Sequence, residues 1–218
     1  MKTVKDLLNK PKTGIIPPIH FKHTHDYAMS ILDESWYEKS SGNKHIKKSF
    51  KEHFGKLNVT PKQRKSVRAY TARHSFDINN RLFKTPHRKF PSDIVDDLDE
   101  TIDNNRIHTR LNTFSSLGFN PEKHKKENNE LHSPAYISTT LNKEVAYGFL
   151  KKHTDGIHHV AHFVLEKGDP AAYIASASHI PYEDEVLIKR GQTLRHHGSF
   201  DIEDGEKKIR IHKLSIVH

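Results

Sequence analysis

The chain contains no cysteine in 218 residues, which excludes disulfides and thiolate-held metals as sources of stability or chemistry. Long apolar runs are missing too. None approaches the roughly 18 residues needed to cross a bilayer, and residues 1–8 lack the apolar stretch of a secretory signal. A soluble, cytoplasmic protein without membrane partners is therefore expected. No glycine-rich loop of the Walker or Rossmann type occurs, so a phosphate-cradling loop of those folds is excluded. There is no internal repeat. One compact unit is expected, since 218 residues suffice to bury a single core.

What is abundant is positive charge, and it is unevenly placed. Residues 1–65 carry 14 Lys/Arg against 6 Asp/Glu, a balance of +8, whereas the remainder carries 22 against 21. Such a segment steers a protein toward polyanions such as nucleic acid, or else forms a solvated basic face. Pro11, Gly14, Pro17 and Pro18 interrupt helix over 9–25. Apolar residues at helical spacing predict helices over 27–36 and 43–56. Thr60-Pro61 reads as a helix N-cap with proline in the first turn, opening a helix that runs to about Phe83. Another amphipathic helix is predicted over Asp93 to Asp103. Short β-rich segments follow, over 158–166, 172–175, 185–189, 193–197 and 207–217. Helices first and strands later argue an α+β fold, with a basic helical extension over 1–58 and the main domain over 59–218.

Five sequence features stand out. Tyr182-Glu183-Asp184-Glu185 opens an apolar strand pattern, and strand alternation would aim both glutamates the same way. Ala135-Tyr136-Ile137-Ser138-Thr139-Thr140 is an apolar strand ending in three hydroxyls, followed by a helix-like stretch from Asn142 to Lys152. Ile107-His108-Thr109-Arg110-Leu111 puts an arginine inside a short strand pattern. Tyr70-Thr71-Ala72 and Ile78-Asn79-Asn80-Arg81-Leu82 lie on the predicted helix, and Gly168-Asp169-Pro170-Ala171-Ala172-Tyr173 with Gly191-Gln192 frame the acidic loop.

Taken in chain order over residues 66 to 215, with the arginine first, then Ser-Thr-Thr, then Glu-x-Glu, these segments resemble the arginine–serine–glutamate class of mono-ADP-ribosyltransferases, which includes binary actin-modifying toxins, exoenzymes and the Mod and Alt enzymes of T-even phages. The resemblance implies two packed, mostly antiparallel sheets around an NAD cleft, with helices in the N-terminal part. It implies transfer of ADP-ribose from NAD, the co-substrate, to arginine side chains, with no metal. Glu185 would stabilise the oxocarbenium-like transition state, Ser138 would hold Glu185, and Glu183 would orient the acceptor guanidinium. Arg110 would meet the cofactor's phosphates, with Arg106 and Arg81 as alternative candidates. Thr139, Phe149, Lys152 and Tyr70 would complete the cofactor site, and Tyr182 or Ile180 would touch the target. The acceptors implied are host ribosomal or RNA polymerase components, including RNA-associated targets, in a host cytoplasm. An NAD glycohydrolase, or a catalytically silent module binding nucleic acid or ribosomes, are the competing readings.

Nineteen histidines invite a metal. The densest groups, His20, His23 and His25, and His158, His159 and His162, lack a recognised zinc spacing, so no metal site is expected.

Overall fold

The computed structural model describes residues 57–84, 93–108 and 110–218. The predicted arm over 9–25, the helices over 27–36 and 43–56, most of the 1–58 extension and the His20–His25 group lie outside the described residues.

The first described helix, α1 (Pro61–Ala69), starts where the sequence predicts. Thr60 is extended and its hydroxyl accepts the Gln63 amide (3.2 Å), while the Gln63 side chain accepts the Thr60 amide (2.8 Å), a reciprocal capping box. The helix does not run straight on to Phe83. A π-helical turn at Tyr70–His74 precedes α2 (Ser75–Lys84). Thr71 accounts for the widening, because its hydroxyl donates back to the carbonyls of Val67 and Arg68 (3.1 and 3.3 Å) and competes with the regular ladder. Single π turns recur at functional sites, and this one buries Tyr70, which is 1% exposed.

Helix α3 (Asp93–Asn104) lies against α1, where buried Asp97 accepts from Ser66 Oγ (2.6 Å) and Lys62 Nζ (3.0 Å). Val95, Leu98 and Ile102 of α3 join Val67, Tyr70, Ile78 and Leu82 in one apolar cluster with Ala172, Ile174 and Leu187 from the sheet. Truncating a fully buried leucine such as Leu187 would cost about 2–5 kcal/mol.

The strands are β1 (Leu111–Leu117), β2 (Glu130–Ser133), β3 (Ile137–Thr140), β4 (His158–Leu165), β5 (Ala171–Tyr173), β6 (Glu185–Ile188), β7 (Gln192–Asp204) and β8 (Lys207–Ile216), with helix α4 (Lys143–Gly148) between β3 and β4. They form one eight-stranded sheet in the order β2-β7-β8-β4-β1-β3-β6-β5, antiparallel except for the β4–β8 pair. In place of two separate sheets, two halves of one sheet meet through a single register pair, Phe114 with Thr140. Beside that pair the Ser115 hydroxyl donates to the Ser138 carbonyl (2.8 Å), so a side chain takes an acceptor a ladder amide would otherwise use.

Several boundaries differ from the sequence reading. Strand β1 begins at Leu111, which leaves Arg110 just ahead of it. Helix α4, capped by Asn142 accepting from the Glu144 amide (3.0 Å), stops at Gly148 and does not reach Lys152. Strand β7 continues to Asp204, past a bulge between His196 and Gly198, and returns as β8 through Gly205 at φ 59°. No helix among the described residues is long and apolar enough to cross a membrane.

Candidate active site

A cavity of about 340 Å³ opens where β1 and β3 part. Its walls come from four places: Phe114, Ser115 and Ser116 of β1; Ser138, Thr139 and Thr140 of β3; Val145, Ala146 and Phe149 around α4; and Tyr70 and Thr71 of the π turn with Ser75 at the start of α2. Ile180, Glu183 and Glu185 close it. A second, larger cavity of about 500 Å³ shares Ser115, Ser116 and Ser138 with the first, but its remaining walls include Leu117, Phe119, Leu131, Phe163 and Leu194. The paired carboxylates belong to the first cavity, which makes it the candidate site.

Glu185 is the first residue of β6 and only 5% exposed. Burial pushes its carboxyl up to about 7, with the nearby charge of Glu183 adding to the rise and the Ser138 hydrogen bond opposing it. The Ser138 hydroxyl donates to Glu185 Oε1. Strand β3 brings Ser138 there, since Ser138 pairs with Leu187 and Thr140 with Glu185 across the ladder. Thr139 Oγ1 donates to the Val186 carbonyl (2.7 Å) and Thr140 Oγ1 to the Glu183 carbonyl (2.5 Å), fixing the start of β6 from outside its own backbone.

Strand alternation does not position Glu183. Glu183 ends a 3-10 turn (Pro181–Glu183), and Asp184 follows in the left-handed region at φ 48°. The Tyr173 hydroxyl donates to Asp184 Oδ1 (2.9 Å) and holds that turn. Both glutamates nevertheless line the same cavity, and burial raises the Glu183 carboxyl above its ordinary value.

Tyr70 reaches the cavity from the opposite wall. Its hydroxyl accepts from Asn79 Nδ2 (3.2 Å), and its ring meets Tyr136 edge-on at 5.7 Å. Burial, with the charge of Glu185 second, strongly disfavours ionisation of Tyr70. Phe149 lines the cavity while 57% exposed, so it is not a core residue. Ile180 is a wall residue; Tyr182, 73% exposed, stands outside. Lys152 is exposed and pairs with His158 in an isolated bridge beyond the walls. Arg110 is also outside the cavity, in an ion pair with Glu166 (3.3 Å) between half-exposed side chains. Of the alternatives, Arg106 is bound to Asp103 (2.9 Å) and the Gly168 carbonyl (3.3 Å), and Arg81 lies exposed on α2. Sequence reasoning passed over Phe114, Ser115 and Ser116; the adjacent serines in a strand pattern were the available signal.

The family model described as ADP-ribosyltransferase exoenzyme matches residues 34–217. The chain belongs to that family. Solved structures of similar fold include Plx2a, an ADP-ribosyltransferase toxin from Paenibacillus larvae, at 18% identity and a TM-score of 0.65, over 79% of this chain and 94% of that one. They also include C3stau2 from S. aureus with NAD, at 18% identity and 0.58, over 74% and 89% of the two chains. The ADP-ribosylating toxin BECa of a C. perfringens binary enterotoxin, solved with NADH, aligns at 16% identity and 0.61 over 80% of this chain and 49% of its own. No curated protein matches the chain in sequence. The exoenzyme fold thus frames the cavity at the β1–β3 parting, which Glu183 and Glu185 line.

Proposed function

We propose that the chain transfers ADP-ribose from NAD to arginine side chains of acceptor proteins and releases nicotinamide. The observation that carries this reading is Glu185, buried beside Ser138 in a cavity whose rim holds a second carboxylate, Glu183. The bond between ribose C1′ and the nicotinamide nitrogen breaks, and its electron pair leaves on nicotinamide. Positive charge grows on the ribose, as in glycoside cleavage. Ionised Glu185, held by Ser138, opposes that charge at the point where it develops. An arginine nitrogen then bonds to C1′, and its proton passes to Glu183 and on to water. Glu183 is half buried at the end of a turn, where an acceptor can reach it.

Phe149, Tyr70 and Thr139 form the cofactor's walls in this reading, with Lys152 beyond them and Tyr182 and Ile180 facing the acceptor. Arg110 serves the diphosphate from the start of β1. Its charge adds to the lowering of the His162 pKa, and the His162 ring stacks on Phe114, a residue that lines the cavity. Its pair with Glu166 is exposed enough to be worth little and to give way. Arg110→Lys is expected to weaken NAD binding by about tenfold, because lysine keeps the charge but not the two-pronged contact; an unchanged calorimetric affinity would remove Arg110 from the site.

The acceptors we assign are proteins of nucleic-acid assemblies, ribosomal or polymerase components, on the strength of the +8 balance in residues 1–65. Incubation with NAD labelled in its adenylate and a bacterial lysate tests the reading. Labelled protein supports transfer. Free ADP-ribose alone would make the chain a glycohydrolase, and neither product would make it a binding module.

A further inference from the structure

The histidines form a second constellation, away from the carboxylate cavity. Strand β4 is central and buried along nearly its whole length, yet it carries His159 with no exposed surface. Parallel pairing with β8 brings His212 beside it, and β7 adds His196. The rings make a chain: His159 Nδ1 lies 2.9 Å from His212 Nε2, and His212 Nδ1 lies 3.1 Å from His196 Nε2. At its outer end, His159 Nε2 faces Asp155 Oδ2 at 3.2 Å, and His153 Nδ1 faces Asp155 Oδ1 at 3.5 Å. His153 and Asp155 sit on the turn before β4, about one-fifth exposed, with Gly156 at φ 78° allowing the chain to reverse. The Ile157 amide donates to Asp155 Oδ1 (3.1 Å) and pins the carboxylate, with Oδ2 turned to His159 Nε2.

We propose that His153, Asp155 and His159 form a divalent transition-metal site, of the two-imidazole, one-carboxylate kind that takes Zn²⁺, which clamps the turn entering β4. Three donors of these types with one open position suit zinc, whose tetrahedral shell puts donors about 3.4 Å apart. One nitrogen from each imidazole and one oxygen of Asp155 lie within 4.8 Å of one another, close enough for a single ion to draw them to that spacing. Metal-binding histidines characteristically donate their other ring N–H to a fixed acceptor, and His159 has one already placed in His212 Nε2.

A second group, Glu122, His196 and His212, is also close enough to hold a metal. It is already committed. Glu122 accepts from Ser199 Oγ and Arg210, and both ring nitrogens of His212 face other histidines. At the turn, the His153 and Asp155 side chains are each about one-fifth exposed, so an ion can enter from solvent.

Zinc would also set the direction of the whole proton chain. Without metal, a proton on His159 Nε2 bonds to Asp155, and His212 and His196 each carry their proton on Nε2. With zinc on His159 Nε2, that nitrogen must offer its lone pair, so the proton moves to Nδ1 and donates to His212; His212 and His196 shift likewise. Each ring keeps one proton and stays neutral, so the change is a relay of tautomers. The clamp would steady the segment that runs back to Phe149, whose carbonyl accepts from Ser116 Oγ (3.0 Å) at the cavity wall.

The test uses the full chain, stripped of metal and titrated with zinc against a chromophoric chelator. Binding is expected to fall at least about tenfold in His153→Gln and in Asp155→Asn, both at a solvent-facing turn, where Asn keeps an acceptor for the Ile157 amide. Zinc should raise the thermal midpoint of the parent protein by several degrees, and of the variants by much less. In nitrogen-15 spectra of the histidine rings, zinc should convert His159, His212 and His196 to the Nδ1–H form. Equal zinc affinity in parent and variants, or ring tautomers unmoved by saturating zinc, would overturn the proposal.

Discussion

Glu185→Gln will lower both NAD cleavage and protein labelling by about 10²–10³-fold, and at alkaline pH it will make the protein more resistant to heat. Glutamine fills the same space and can still accept from Ser138, so the loss isolates the charge that meets the developing cation. The stability gain has a separate cause. In the unfolded chain this carboxyl ionises near 4.5, but in the fold burial holds it to about 7. Between those values the folded protein binds more protons than the unfolded one, so its stability declines as pH rises through the window and the whole loss is present above it. A shift from 4.5 to about 7 corresponds to a penalty on the order of 3 kcal/mol at about 1.4 kcal/mol per unit. The variant lacks that penalty. Its thermal midpoint should exceed the parent's by several degrees at pH 8, with the difference closing toward pH 4. The parent's transfer rate should rise with pH through about 7 as Glu185 ionises. A pH-independent difference in stability, or parental turnover in the variant, would contradict the role assigned to this carboxylate.

Glu183→Gln should divide the activities. The residue ends a turn on the rim of the cavity, and its carboxylate is not the one that Ser138 holds. Release of nicotinamide to water should therefore persist within a few-fold, whereas arginine labelling should fall by about 10²-fold or more, the usual scale for removing an oriented acid–base group. Parallel nicotinamide-release and protein-labelling assays measure the split. Equal loss of both would show that the two glutamates act as one unit at the bond being broken.

Much of this site was legible because its determinants are local. Thr60, Pro61 and Gln63 fix the start of α1 within one turn, and Ser138 and Glu185 lie in two short strands, second in β3 and first in β6. What was not legible depends on partners far along the chain. Glu183 was expected to follow strand alternation, but Tyr173 holds Asp184 in a left-handed turn and makes the junction irregular. The π turn arises from a single hydroxyl, Thr71, bonding backward, and no periodicity announces it. Strand β2, four residues long with one buried side chain, shows almost no alternation signal and exists by pairing with β7. The histidine chain is a product of topology: His159 and His212 are 53 residues apart and meet through the β4–β8 pairing.

The most direct test of the central claim is to locate the attached group. Acceptor protein modified by the full chain and NAD, digested and sequenced by fragmentation mass spectrometry, should carry ADP-ribose on arginine, with that signal lost in Glu183→Gln and Glu185→Gln. ADP-ribose on another residue type, or its appearance solely as free product while the acceptor stays unmodified, would contradict the account.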